Sequence, residues 1–154
     1  MQVEYINPFI ESVCSVFSTM LSSQAERGDV GMAADASGPR ELTALIGMSG
    51  EEVRGTVALS LPTNTALAMV NRLLGTETHV IDENTSDGVA ELVNMIAGGA
   101  KAKFSGDGRP ITLSLPTVVR GNAYSVDYPS GVKWLEIPFT SELGSFSLRV
   151  TFEK

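Results

Sequence analysis

From Thr85 to Phe104 the chain keeps one side apolar: Val89, Leu92, Val93, Ile96, Ala97 and Ala100 recur at helical spacing. A stretch with this period buries its stripe only as an α-helix laid against another layer, so the rest of the chain must supply that layer. Two more helices are expected. Asn7 can cap the first, and Pro8 fits its first position, where a missing N–H costs nothing. Phe9, Ile10, Val13, Phe17, Met20 and Leu21 form its buried stripe, and it ends near Ser22 or Ser23. The second runs from Pro62 to Leu74, where Gly75 stops it. A polar connection, Thr76–Asn84, leads to the long helix, and the Ser105–Pro110 loop ends that helix.

The covering layer reads as strands. Leu42, Ala44, Ile46 and Met48 alternate with other residues, and so do Val53, Gly55, Val57, Leu59 and Leu61 beyond the Ser49–Glu52 turn. Period two on both sides of a turn predicts a hairpin. Ile111, Leu113 and Leu115 alternate next, and Val118–Tyr128 is a further strand candidate before the Pro129–Gly131 turn. Lys133–Thr140 and Ser145–Phe152 pair across Ser141–Gly144, with Phe146, Leu148, Val150 and Phe152 inward. Gln24–Arg40 is polar and glycine-rich, a loop with a short strand near Val30–Ala34. The fold class is α+β: a largely antiparallel sheet packed with two long helices, in one domain spanning residues 1–154. Asn7–Cys14 aligns without gaps on Asp87–Asn94, a weak echo of two similar halves.

Composition narrows the function classes. At 154 residues and 43% hydrophobic, the chain suits one core. The net charge is -7 and the 11 Lys and Arg are scattered, which disfavours nucleic acid and an anionic membrane surface. No apolar run reaches membrane-span length, and Met1–Tyr5 has no basic region typical of a secretory signal. The single cysteine, Cys14, excludes an internal disulfide and a cysteine metal cluster, and fits a reducing cytosol. His79, the only histidine, lies in a polar connection with no second histidine, so a surface position is expected. No nucleophile elbow or phosphate-binding loop is present. Trp134 alternates with the inward set of its strand and suits an exposed face at an interface.

The long helix carries the informative stripe. Opposite its apolar side stand Asp87, Glu91, Asn94, Gly98 and Lys101, neighbours along the helix surface. Asparagine mid-helix is unfavourable, and Gly98 and Gly99 each weaken the interior by about 1 kcal/mol relative to alanine. The glycines remove bulk one turn beyond Asn94 and let another surface come close; they would equally suit tight helix–sheet packing. A carboxylate can take a salt bridge from a partner's lysine. An amide both donates and accepts, so it can orient a water toward a phosphoryl group.

Asp87-x3-Glu91-x2-Asn94, followed by Met95–Lys101, resembles the signature helix of the CheX/CheC chemotaxis phosphatases. In that family a proline follows some way on, and Pro116 lies close to that place. The opening Tyr5–Glu11 is also similar to CheX-type chains. The resemblance implies dephosphorylation of an aspartyl-phosphorylated CheY-type response regulator. Asn94 would position the attacking water, and Glu91 would pair with the regulator's lysine. Asp87, Gly98 and Lys101 would lie on the contact surface. Asp87 either supports the contact edge or stabilises the helix N-terminus. The Mg²⁺ would come from the regulator, leaving this chain without a cofactor of its own. Some CheC-type members carry a second Glu-x-x-Asn on the first helix; here it reads Glu11-x-x-Cys14, and a thiol cannot orient water as an amide does. The single-site, CheX-like arrangement follows, with Cys14 a core or interface residue. A homodimer and a cytoplasmic location are implied too. The competing readings are a docking module of the same fold without catalysis, and a structural subunit that assembles through a sheet edge.

Overall fold

The computed structural model describes residues 3–33, 42–121 and 134–153. A 3-10 turn, Val3–Ile6, leads into α1, Asn7–Met20. Strands β1, Ala25–Arg27, and β2, Gly31–Ala33, follow. The hairpin β3, Leu42–Ser49, and β4, Gly55–Leu61, precedes α2, Thr63–Leu74, and α3, Glu83–Gly106. Short strands β5, Thr112–Leu113, and β6, Thr117–Arg120, come next, then β7, Trp134–Ser141, and β8, Phe146–Phe152. Every pairing is antiparallel, and the order is β1-β7-β8-β4-β3-β5, with β2 also on β7 and β6 also on β3.

The hairpins form where period two predicts them, with Leu42 against Leu61 and Leu135 against Val150. One face of the sheet carries Leu42, Ala44, Ile46, Leu59, Ile137 and Leu148, in the same buried cluster as Phe9, Phe17, Met69, Leu92 and Ile96 from the helices. Aromatic contacts tie α1 to its neighbours. Tyr5 and Phe9 meet Phe104 of α3 edge-on at 5.9 and 5.7 Å, and Phe17 stacks on Phe146 at 5.2 Å. The opposite face is polar yet buried at Thr43, Ser60, Arg149 and Thr151. Glu136 stands across from Arg149 and accepts a hydrogen bond from its Nε at 3.0 Å.

Several sequence expectations need correction. Asn7 is not the cap: Val3–Ile6 already turns helically, so the helix opens at Ile6 without a side-chain cap. Helix α1 stops at Met20, and Met20 is 47% exposed rather than part of the buried stripe, because the last residue of the helix overhangs the core. Leu115 is 88% exposed. The register explains it: Leu113 faces Met48 and Thr117 faces Leu45, so Ser114, Leu115 and Pro116 stand against only Ile46 and Gly47. This bulge, where Ser114 Oγ accepts from the Gly47 N–H at 2.8 Å, turns Leu115 outward. Trp134 is buried, not exposed, on its strand. Of Val118–Tyr128, β6 accounts for residues up to Arg120, and 122–133 lie outside the described residues.

Two glycines let helix α3 pack closely between α1 and α2, and a third leaves its surface open. A Cβ at Gly88 would lie 2.7 Å from Val70 Cγ1 of α2. A Cβ at Gly99 would lie 2.2 Å from Ser12 Oγ of α1, whose hydroxyl donates to the Ile96 carbonyl at 2.6 Å. Nothing stands within 4 Å of a Cβ at Gly98. The close packing at Gly99 is thus helix on helix, not helix on sheet, and Gly98 takes no part in it. Thermal melts should separate the two. Gly98→Ala is expected to gain up to about 1 kcal/mol from helix propensity. Gly99→Ala should lose about 1–3 kcal/mol, because Ser12 must move and its hydrogen bond is disturbed. Equal melting temperatures would contradict this division.

Candidate active site on helix α3

The N-terminus of α3 is fixed by a reciprocal pair. Asp82 Oδ1 accepts from the Thr85 N–H at 2.9 Å, and Thr85 Oγ1 accepts from the Asp82 N–H at 3.3 Å. The helix therefore starts at Glu83, earlier than the Thr85 start expected from apolar spacing. The hydrogen bonds from Thr85 hold the Asp82 carboxyl below its ordinary 3.8. A lowered carboxyl contributes stability above its unfolded value, and that contribution is lost as pH falls through the folded value. Asp82→Ala should therefore melt below wild type at neutral pH, and the gap should close as pH drops below the ordinary 3.8. A gap independent of pH would rule out the charged cap.

Beyond this cap, the apolar side of α3 is buried at Val89, Leu92, Val93, Ile96, Ala97 and Ala100, as the spacing predicts. The other side comes to the surface. Asp87, Glu91 and Lys101 are exposed, and Asn94 and Gly98 are half-buried. Glu91 and Asn94 are one turn apart and face the same way. Neither side chain makes a hydrogen bond or ion pair to another described residue. The carboxylate and the amide are thus presented outward, with the open Gly98 one turn further along. Asp87 lies in the second turn, where stabilisation by the helix dipole has largely faded.

Beside this stripe the three helices leave a groove of about 400 Å³. Met20, Leu73, Leu74 and Met95 line it together with Asp87 and Glu91. Sequence reading missed the groove, because its walls come from three separate segments; the only signal was an apolar side chain at the very end of α1.

The aligned positions on α1 are differently arranged. The Glu11 carboxylate pairs with Lys103 Nζ of α3. Cys14 is half-buried, with its Sγ 3.7 Å from the Ala25 carbonyl oxygen of β1. Among the described residues, no group of three or more His, Cys, Asp or Glu side chains is placed to hold a metal ion. His79 is exposed. Within the same residues, no helix is long and apolar enough to cross a membrane.

The sequence pattern of the family described as "Chemotaxis phosphatase CheX" matches residues 42–140. The chain belongs to the CheX family. It is 29% identical over 122 residues to a CheY-P phosphatase CheX of Thermotoga maritima, covering 79% of this chain and 78% of that one. A CheC-like superfamily protein from Shewanella sp. PV-4 shares the fold with a TM-score of 0.90 and 31% identity over all of both chains. CheX in the CheX–CheY–BeF3–Mg²⁺ complex of Borrelia burgdorferi shares it with a TM-score of 0.84 at 21% identity, covering 99% of this CheX-family chain and 100% of that one. The α+β architecture with an antiparallel sheet is the fold of these relatives.

Proposed function

We propose that this CheX-family chain dephosphorylates an aspartyl-phosphorylated CheY-type response regulator, with Glu91 and Asn94 as the working pair. One observation carries the residue assignment. On α3 the exposed carboxylate and the amide point outward without partners among the described residues, next to a helix surface that Gly98 leaves bare. The relative that bears the name CheY-P phosphatase supports the reaction class.

The chemistry needs little from this protein beyond position. An acyl phosphate is already activated, and bringing a water in line with the P–O bond removes an entropic part of the barrier. The Asn94 amide accepts from that water through its oxygen, or donates to it through its nitrogen. The water oxygen bonds to phosphorus, the bond between phosphorus and the aspartyl oxygen breaks, and the water's proton leaves with phosphate or solvent. The regulator recovers a free carboxylate. Glu91 pairs with a lysine of the regulator and sets the register, so that Asn94 meets the phosphoryl group. Asp87 and Lys101 flank the contact, and Gly98 allows close approach. Mg²⁺ belongs to the regulator and neutralises phosphoryl charge when bound there. The same reading supports a cytoplasmic location, where such regulators work, and the family resemblance supports a homodimer.

Decay of the phosphoryl-aspartate on candidate regulators tests the roles. Asn94→Ala is expected to lower the accelerated rate by roughly a hundredfold while binding persists, as misplacing a reactant does. Glu91→Ala should raise the half-saturating regulator concentration by about tenfold, with activity partly recovered at high concentration. Equal loss of binding in both variants would contradict the division of labour. A regulator that binds wild type but keeps its phosphoryl lifetime would make the protein a docking module.

A further inference from the structure

The groove beside Glu91 has features that the proposed chemistry does not use. Its mouth exposes two large apolar side chains, Met20 at 47% and Leu74 at 50%, backed by Leu73 and Met95. Its polar rim is acidic: Asp87 and Glu91 line it, and no basic side chain does. Gly88 brings α2 against α3 at Val70 and so fixes the separation of the walls. An apolar surface bordered by one sign of charge selects an occupant with the complementary pattern.

We infer that this groove is a second anchoring point for the same regulator, receiving an apolar side chain from a helix that also carries a lysine or arginine beside it. The inference rests on the proposed docking at Glu91. Glu91 belongs to both surfaces, so a body seated on the Glu91–Asn94 stripe lies next to the groove. Charge decides the kind of helix. With Glu91 paired to the regulator's lysine, a purely apolar segment would leave Asp87 without a counter-ion at a rim that docking desolvates, whereas a basic flank pairs with it. Two unbranched methionines in the lining adapt to the shape of the incoming side chain. The stripe then supplies register and chemistry, and the groove supplies apolar burial that holds the complex together.

The test uses the full chain and a regulator that wild type dephosphorylates. Met20→Asp with Leu74→Asp puts carboxylates into the groove mouth, and Met20→Ala with Leu74→Ala only removes apolar area. The aspartate variant is expected to raise the half-saturating regulator concentration by roughly tenfold, and the alanine variant by about threefold. The rate at saturation should change by less than about threefold in both, because the groove does not touch the reacting atoms. Wild-type half-saturation in a folded aspartate variant overturns the inference. If that variant does not fold, the alanine variant decides by the same reading. Loss of self-association at unchanged regulator affinity, seen by light scattering, would make a second copy of this chain the occupant and also overturn it. Failure of wild type on every regulator would instead remove the functional reading beneath it.

Discussion

Helix α3 is held in place because its backbone touches both neighbouring helices. At Gly88 it lies against Val70, and at Gly99 against Ser12, each closer than any side chain would permit. These two contacts fix the helix along its length as well as about its axis. With the buried stripe from Val89 to Phe104 directed at the sheet, the opposite stripe has to face outward. The hydrogen bond from Ser12 to the Ile96 carbonyl satisfies a polar group inside this packing, and the aromatic cluster of Tyr5, Phe9 and Phe104 closes the far end. Thus the presentation of Glu91 and Asn94 is a consequence of how α3 is clamped, not of local flexibility.

In the proposed function only one of the two long helices is equipped. The weak sequence echo places Glu11 and Cys14 where α3 has Glu91 and Asn94. Yet Glu11 is engaged by Lys103, and Cys14 turns toward β1 rather than toward solvent. An exposed pair such as Glu11–Lys103 is worth little in stability, but it occupies the carboxylate. In the proposed mechanism the α1 positions lack both a free acid and an amide.

Much of this could be read from the residues. Period two located the β3–β4 and β7–β8 hairpins, and helical spacing located the buried side of α3 and, by subtraction, its outward stripe. Four features were hidden for definite reasons. Gly98 and Gly99 are identical in sequence, and only the path of α1 shows that one is a contact and the other open. The α3 cap uses Thr85 where the usual pattern has a glutamate or glutamine, so nothing in the apolar spacing marked Asp82. The exposure of Leu115 depends on a register shift against β3, and alternation along one strand carries no information about its partner. The groove is hidden for a related reason: Met20, Leu74 and Met95 are brought together only by tertiary packing.

The claim that ties fold to chemistry is that Gly98 is kept bare so that a partner can approach α3. Its most direct measurement is the regulator-dephosphorylation efficiency, kcat/KM, of Gly98→Ala. A methyl group there meets nothing within the described protein, so the packing around the helix should be unaffected. The account predicts a clear loss of efficiency in a protein that is folded as well as wild type. Wild-type or improved efficiency would contradict it and would mean that the partner docks elsewhere.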